Sequence, residues 1–155
     1  MRPQRFQRFA LDTYQAAGLA AEAWEEGTKR PLGIVVTLPN GSRIWHGING
    51  QARPGDKYDQ PEEPVEKDAP EPVPVPEPGA RIRIVEAEHY LSALLNNAGS
   101  REVERVYCYS DREQPGSSRG FGLHFHSGAR IFVPFVRAAR AGQSPGKDYE
   151  LPQEI

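Results

Sequence analysis

A chain of 155 residues with 37% hydrophobic residues can hold one domain or two very small ones. Its net charge is −2, and no part of it is strongly basic, which argues against binding to duplex DNA through many phosphate contacts. Cys108 is the only cysteine, so an internal disulfide is excluded. Because no apolar run approaches 18 residues, we expect a soluble, cytoplasmic protein.

The acidic residues and the prolines concentrate in residues 53–80. This segment carries eight acidic and three basic residues and eight of the fifteen prolines. Such a composition predicts an extended, unpacked linker without helix or strand. It divides the chain into a first unit at 1–52, a second unit at 81–140 and a tail at 141–155 that does not fold alone.

The first unit begins with a predicted helix. Apolar residues at three- and four-residue spacing favour a helix over 5–17, and Gly18 follows as its stop. Residues 19–26 are ambiguous. Their Ala and Glu content favours a continued helix, whereas comparison with the second unit favours a strand.

Residues 32–50 predict a β-hairpin, because Asn40-Gly41 lies between two β-rich runs. A two-residue turn would place Val36 opposite Trp45. The expected core face is then Ile34, Val36, Leu38 and Trp45, and the second face is Val35, Thr37, Ile44, His46 and Ile48.

The second unit predicts the same kinds of element. A helix is expected over 85–98, a strand over 101–110 and a polar loop over 111–119, before a second hairpin with Ser127-Gly128 at its turn. With a two-residue turn, the core face of this hairpin is Phe121, Leu123, Phe125 and Phe132, and the second face is His124, His126, Ile131, Val133 and Phe135. Pro134 predicts that its strand lies at a sheet edge at that point.

The two hairpins also resemble each other in sequence. Gly33–Ile48 aligns without gaps on Gly120–Phe135, with matching glycine, arginine and isoleucine positions. We therefore predict an α+β protein with two α-β-β-β units related by internal duplication and with the helices on one face of antiparallel sheet. The two units would join their sheets edge to edge or stack them through their second faces. Either arrangement could form within one chain, and a homodimer could form by exchange of units or by stacking of sheets.

Several side chains suggest a binding surface. The candidate face comprises His46, Arg105, Tyr107, Tyr109, His124, His126 and Phe135, and faces of this kind bind single-stranded nucleic acid by stacking and phosphate pairing. His124 and His126, at i and i+2 on a strand, would also suit a metal ion together with His46 and Asp111. The chain has no hydrolase serine elbow and no phosphate-binding loop, and Cys108 is interpreted as a packing residue.

From these features we expect a non-catalytic binding or regulatory module that acts through protein–protein contact, with no catalytic residue, metal or cofactor. Arginine outnumbers lysine fifteen to four, which indicates a GC-rich bacterial or phage genome and suggests a phage or mobile-element accessory protein. The first alternative is single-stranded nucleic-acid binding, and the second is a histidine-ligated metal enzyme. No membrane association is expected.

Overall fold

The computed structural model describes all 155 residues, Met1–Ile155. It contains two helices, α1 (Pro3–Ala16) and α2 (Ile84–Asn96). Its seven strands are β1 (Ala20–Ala23), β2 (Gly33–Thr37), β3 (Arg43–Gly47), β4 (Asn49–Gln51), β5 (Val103–Cys108), β6 (Gly120–Phe125) and β7 (Arg130–Ala139). A 3-10 turn, Tyr109–Asp111, follows β5. Neither helix combines the length and the apolar character needed to cross a lipid bilayer.

All seven strands form one antiparallel sheet in the order β1-β2-β3-β7-β6-β5, and β4 pairs with β7 beyond the end of β3. The two units thus join edge to edge through β3 and β7 in a single chain. Both helices pack on the same face, and 27 buried residues from both units form one core. The α+β class with helices on one face is confirmed. Each unit contains a helix followed by three antiparallel strands, and the first unit also contains β4, which has no counterpart in the second. Their origin by duplication stays a hypothesis.

The predicted register of both hairpins is wrong by one residue, for the same reason. Each loop contains three residues instead of two. In the first hairpin the amide of Leu38 donates to the carbonyl of Ser42 at 2.7 Å, and in the second the amide of Phe125 donates to the carbonyl of Ala129 at 3.0 Å. Only the last loop residue, Gly41 (φ 86°) or Gly128 (φ 91°), has positive φ. This is the three-residue loop that ends in a left-handed glycine, not the two-residue turn that needs two such residues.

A shift of one residue turns every side chain of the second strand to the other face. The core beneath the helices therefore contains six residues that the sequence analysis placed on the second face, and each is at most 4% exposed. These residues are Ile44, His46, Ile48, Ile131, Val133 and Phe135. Trp45 and Phe132, predicted to be core, are partly exposed on the opposite face. Stacking of two apolar second faces is consequently wrong, because those apolar residues already pack beneath the helices.

Smaller differences concern single elements. Residues 20–23 form a strand despite their helical composition, because the edge of β2 supplies hydrogen-bond partners that outweigh local preference. Strand β4 was not predicted.

Pro134 lies in the central strand β7, contrary to the edge prediction. It falls between the stretches paired with β3 and β4, so its missing amide proton interrupts neither ladder.

The acidic segment lacks helix and strand, as predicted, but the prediction that it is unpacked is wrong. Glu62 accepts hydrogen bonds from the Arg2 amide at 2.9 Å and from Arg5 Nε at 2.8 Å, which attaches the segment to α1. Further along, the amide and carbonyl of Val73 bond to the side chain of Asn97 at 2.8 and 2.7 Å. The segment therefore runs along the folded body. The tail is docked too, since Ile155 exchanges two backbone hydrogen bonds with Ile82.

Candidate binding surface

The sheet has a second face, which we call the open face, because neither helix packs on it. One half of the open face is covered by its own ion pairs. Arg137 Nε donates to Asp148 and its terminal nitrogen to Glu26, both at 2.8 Å, and Arg30 Nη2 donates to Asp148 at 2.8 Å. The guanidinium of Arg137 also lies 5.5 Å from the Trp24 ring. The charges of Arg137 and Arg30 are therefore compensated within the chain.

The other half of the open face contains a depression of about 620 Å³. It is lined by three arginines and two aromatic rings, together with Cys108, Asp111 and Glu113. We refer to Arg105, Arg112, Arg130, Tyr107 and His124 as the basic depression.

Strand register explains why these side chains converge. Arg105 on β5 pairs with His124 on β6, and His124 pairs with Arg130 on β7, so the three form a row across neighbouring strands. Two residues further along, on the same face of the sheet, Tyr107 pairs with Gly122. A side chain at position 122 would approach the Tyr107 ring to 2.5 Å, so the absence of a Cβ allows that ring to lie against the sheet.

The arginines of the basic depression have no acidic partners. None of the salt bridges in the molecule involves Arg105, Arg112 or Arg130. Two of them lie over aromatic rings instead, Arg105 5.3 Å from Tyr107 and Arg112 4.4 Å from Tyr109. Partial burial, followed by the charges of Arg105 and Arg130, lowers the pKa of His124. The lining of the depression therefore carries three arginines that form no salt bridge and two acidic side chains, Asp111 and Glu113, beside an imidazole that is neutral at neutral pH.

The structure brings together only part of the predicted face. Arg105, Tyr107 and His124 are adjacent on the open face, as the sequence suggested. Tyr109 leaves the strand in the 3-10 turn and is 6% exposed. His46 and Phe135 lie in the core, at 0% and 1% exposed.

The histidine arrangement predicted for a metal is not present. His126 lies in the hairpin loop, where its Nε2 is 2.9 Å from the carbonyl of Asp68, whereas His124 lies on β6. His46 is on the opposite side of the sheet. Its Nε2 is 3.1 Å from the Tyr14 hydroxyl and its Nδ1 is 3.1 Å from the Gly47 carbonyl. Burial lowers the pKa of His46 to about 4, so the ring is neutral and accepts the tyrosine hydrogen bond.

Sequence reasoning missed Arg112 and Arg130. Arg130 would have been found with the correct three-residue loop, which places it opposite His124. Arg112 lies in a polar loop whose conformation is fixed by a buried carboxylate. Glu88, fully buried on α2, accepts hydrogen bonds from the amide of Gly120 at 2.8 Å and from the amide of Ser110 at 3.2 Å, and it also bonds to the Ser110 hydroxyl. Glu88 therefore holds both ends of the loop that carries Arg112.

A second group of polar side chains lies where α2 meets the end of β5. His89 Nε2 is 2.8 Å from an Asp111 carboxylate oxygen, and the ligand atoms of His89, Cys108 and Asp111 all lie within 4.8 Å of one another. These residues line a cavity of about 420 Å³ beside the proline-rich segment, at Val73. Burial raises the pKa of the Cys108 thiol to about 11, so without a ligand it is a weak nucleophile.

Comparisons with protein-family models, with curated protein sequences and with solved structures found no match to this chain.

Proposed function

We propose that this protein is a non-catalytic binding or regulatory module that acts through protein–protein contact, and that the basic depression receives an acidic segment of its partner. The observation that carries the proposal is the row Arg105–His124–Arg130, with Arg112 nearby, in which no arginine has an acidic partner within the chain.

Charge complementarity decides the chemistry of the partner. Guanidinium groups bind carboxylates with two parallel hydrogen bonds, and such pairs fix the register and orientation of a complex. On the other half of the open face, Arg137 is neutralised by Glu26 and Asp148, and the Arg43 guanidinium donates to the backbone carbonyl of Gln143. An acidic segment would therefore be directed to one end of the sheet.

The depression also offers apolar contact area next to the charges. Tyr107 and His124 form an edge-to-face pair with ring centroids 5.5 Å apart, and Phe132 is partly exposed on the adjoining strand. Aromatic residues and arginine are the residue types that dominate binding energy at protein interfaces. A partner with carboxylates flanking an apolar residue fits this combination best.

The experiment is a quantitative affinity capture from the source organism, followed by binding measurements with the purified partner. The double variant Arg105→Glu, Arg130→Glu reverses two exposed charges without touching the core. Arg8→Glu, on the exposed side of α1 and also without a salt bridge, is the matched control. We expect a partner that is retained by the wild type and by Arg8→Glu, lost with the double variant, and bound more weakly as salt increases. Identical retention by all three proteins would contradict the proposal.

A second candidate function is supported by the placement of the rings. Tyr107 and His124 lie on an uncovered sheet face beside Arg105, which is an arrangement on which bases of single-stranded nucleic acid stack. Fluorescence anisotropy with a labelled oligonucleotide at low salt tests it. Binding that weakens with Tyr107→Ala and with added salt favours nucleic acid, and no change in anisotropy favours the protein partner.

A further inference from the structure

The side chains of His89, Cys108 and Asp111 have the composition of a transition-metal site. Imidazole nitrogen, thiolate sulfur and carboxylate oxygen are all ligands of Zn²⁺ in proteins. They come from three different elements, namely α2, the end of β5 and the 3-10 turn. They are therefore brought together by the fold and not by a local motif, which is why no sequence spacing revealed them.

The orientation of His89 indicates which of its nitrogens is free for an ion. Its Nδ1 is 2.8 Å from the carbonyl oxygen of Val85, and a carbonyl can only accept, so Nδ1 carries a proton and donates it. In the neutral ring, Nε2 then has a lone pair, and this atom faces an Asp111 oxygen at 2.8 Å. Two lone-pair atoms this close need a proton or a cation that both can bind.

The surroundings of the three ligands match the outer shell of known metal sites. Metal-binding histidines commonly donate their second N–H to a backbone carbonyl, which fixes the ring, and Val85 supplies that carbonyl here. The Cys108 sulfur is 3.1 Å from the Ser92 hydroxyl oxygen, and that hydroxyl also contacts the carbonyl of His89 at 3.2 Å. Ser92 thus links the thiol to the backbone of the histidine.

The distances suit a tetrahedral ion after a small side-chain adjustment. Zn²⁺ bonds of about 2.0–2.3 Å place ligand atoms about 3–4 Å apart, and the three atoms already lie within 4.8 Å of one another. The side chains of His89 and Asp111 are 40% and 58% exposed, so both can rotate toward an ion. Three protein ligands leave a fourth position, and all three side chains line the cavity beside Val73, which has room for a further ligand.

We infer that His89, Cys108 and Asp111 form a binding site for a divalent transition-metal ion, with Zn²⁺ as the best match to the ligand set. Binding displaces the thiol proton of Cys108 and the proton held between His89 Nε2 and Asp111, and both protons are released to solvent. The ion would connect α2, β5 and the 3-10 turn, immediately before Arg112. This inference is independent of the proposed function and differs from the histidine pair considered from the sequence.

Cobalt substitution tests the site directly, because Co²⁺ bound to a thiolate gives a charge-transfer band that carboxylate or imidazole ligands do not give. We expect the full-length protein, freed of metal with a chelator, to develop this band to saturation at one equivalent of Co²⁺, and Zn²⁺ to displace it. Cys108→Ser should abolish the band. Asp111→Asn and His89→Gln, at partly exposed positions that leave the fold intact, should weaken binding about tenfold or more.

The matched controls are Glu113→Gln, which removes an exposed neighbouring acid, and the double variant His124→Gln, His126→Gln, which removes two partly exposed histidines. We expect both to bind Co²⁺ like the wild type. The inference is overturned if the wild type gives no thiolate band, which would leave only a protonated His89–Asp111 ion pair. It is also overturned if Asp111→Asn and His89→Gln bind Co²⁺ as tightly as the wild type, or if the His124, His126 variant loses binding.

Discussion

His46 makes the stability of this protein depend on pH in a range where few other side chains titrate. In the folded protein the ring is fully buried against Tyr14, and burial lowers its pKa from 6.5 to about 4. The unfolded chain therefore binds a proton more readily than the folded one, and stability falls as the pH drops below about 6.5. The loss is complete only below about pH 4. From these two pKa values, acidification from pH 7 to pH 5 should cost about 2 kcal/mol.

The measurement is urea unfolding of the wild type and of His46→Gln at pH 7, 6 and 5. Glutamine can still accept the Tyr14 hydrogen bond but does not titrate, so the variant is expected to be less stable at pH 7 because of imperfect packing. Its stability should nevertheless change little between pH 7 and pH 5. Equal losses in the two proteins over this range would refute the reasoning and would mean that other groups control the pH dependence.

Three further predictions follow from packing and backbone geometry. Phe135→Ala removes a core side chain and should lower the free energy of unfolding, measured with a denaturant, by about 3–5 kcal/mol. Phe132→Ala, at a partly exposed position, should cost clearly less, and similar losses for the two variants would contradict the observed register. Gly120→Ala should lower the free energy of unfolding by about 1–3 kcal/mol or more, because φ is 137° and the new Cβ would lie 2.1 Å from a backbone carbonyl oxygen of β7. Gly116→Ala is the control and should leave the stability unchanged in the same assay, because no atom lies within 4 Å of its Cβ position. Glu62→Gln should speed proteolysis within residues 53–68, since it weakens their attachment to α1, and an unchanged cleavage rate would show that other contacts hold this segment.

The fold class could be predicted because hydrophobic periodicity and turn residues are local signals. Both helices and both hairpins lie where the patterns placed them. The error in register arose from the turns, since Asn40-Gly41 is compatible with a two-residue and a three-residue loop. What decides between them is whether Ile44 or Trp45 is buried, and that depends on the helices that cover the sheet.

The candidate surface could be predicted only where residues share one strand pair. Arg105, Tyr107 and His124 were grouped correctly because β5 and β6 are neighbours in sequence and pair directly. His46 and Phe135 were assigned to the wrong face by the register error. The cluster of His89 with Cys108 and Asp111 needs a helix to pack beside a strand end, so contacts formed only in the tertiary structure create it.

The most direct test of the proposed function is to measure, by calorimetry at two salt concentrations, how tightly the purified acidic partner binds three proteins. These are the wild type, the double variant Arg105→Glu, Arg130→Glu, and the control Arg8→Glu. The account predicts binding to the wild type and to Arg8→Glu that weakens at higher salt, and a loss of at least about tenfold in the double variant, in line with charged pairs at interfaces. Equal affinity of all three proteins for the partner, with the double variant still folded, would contradict it.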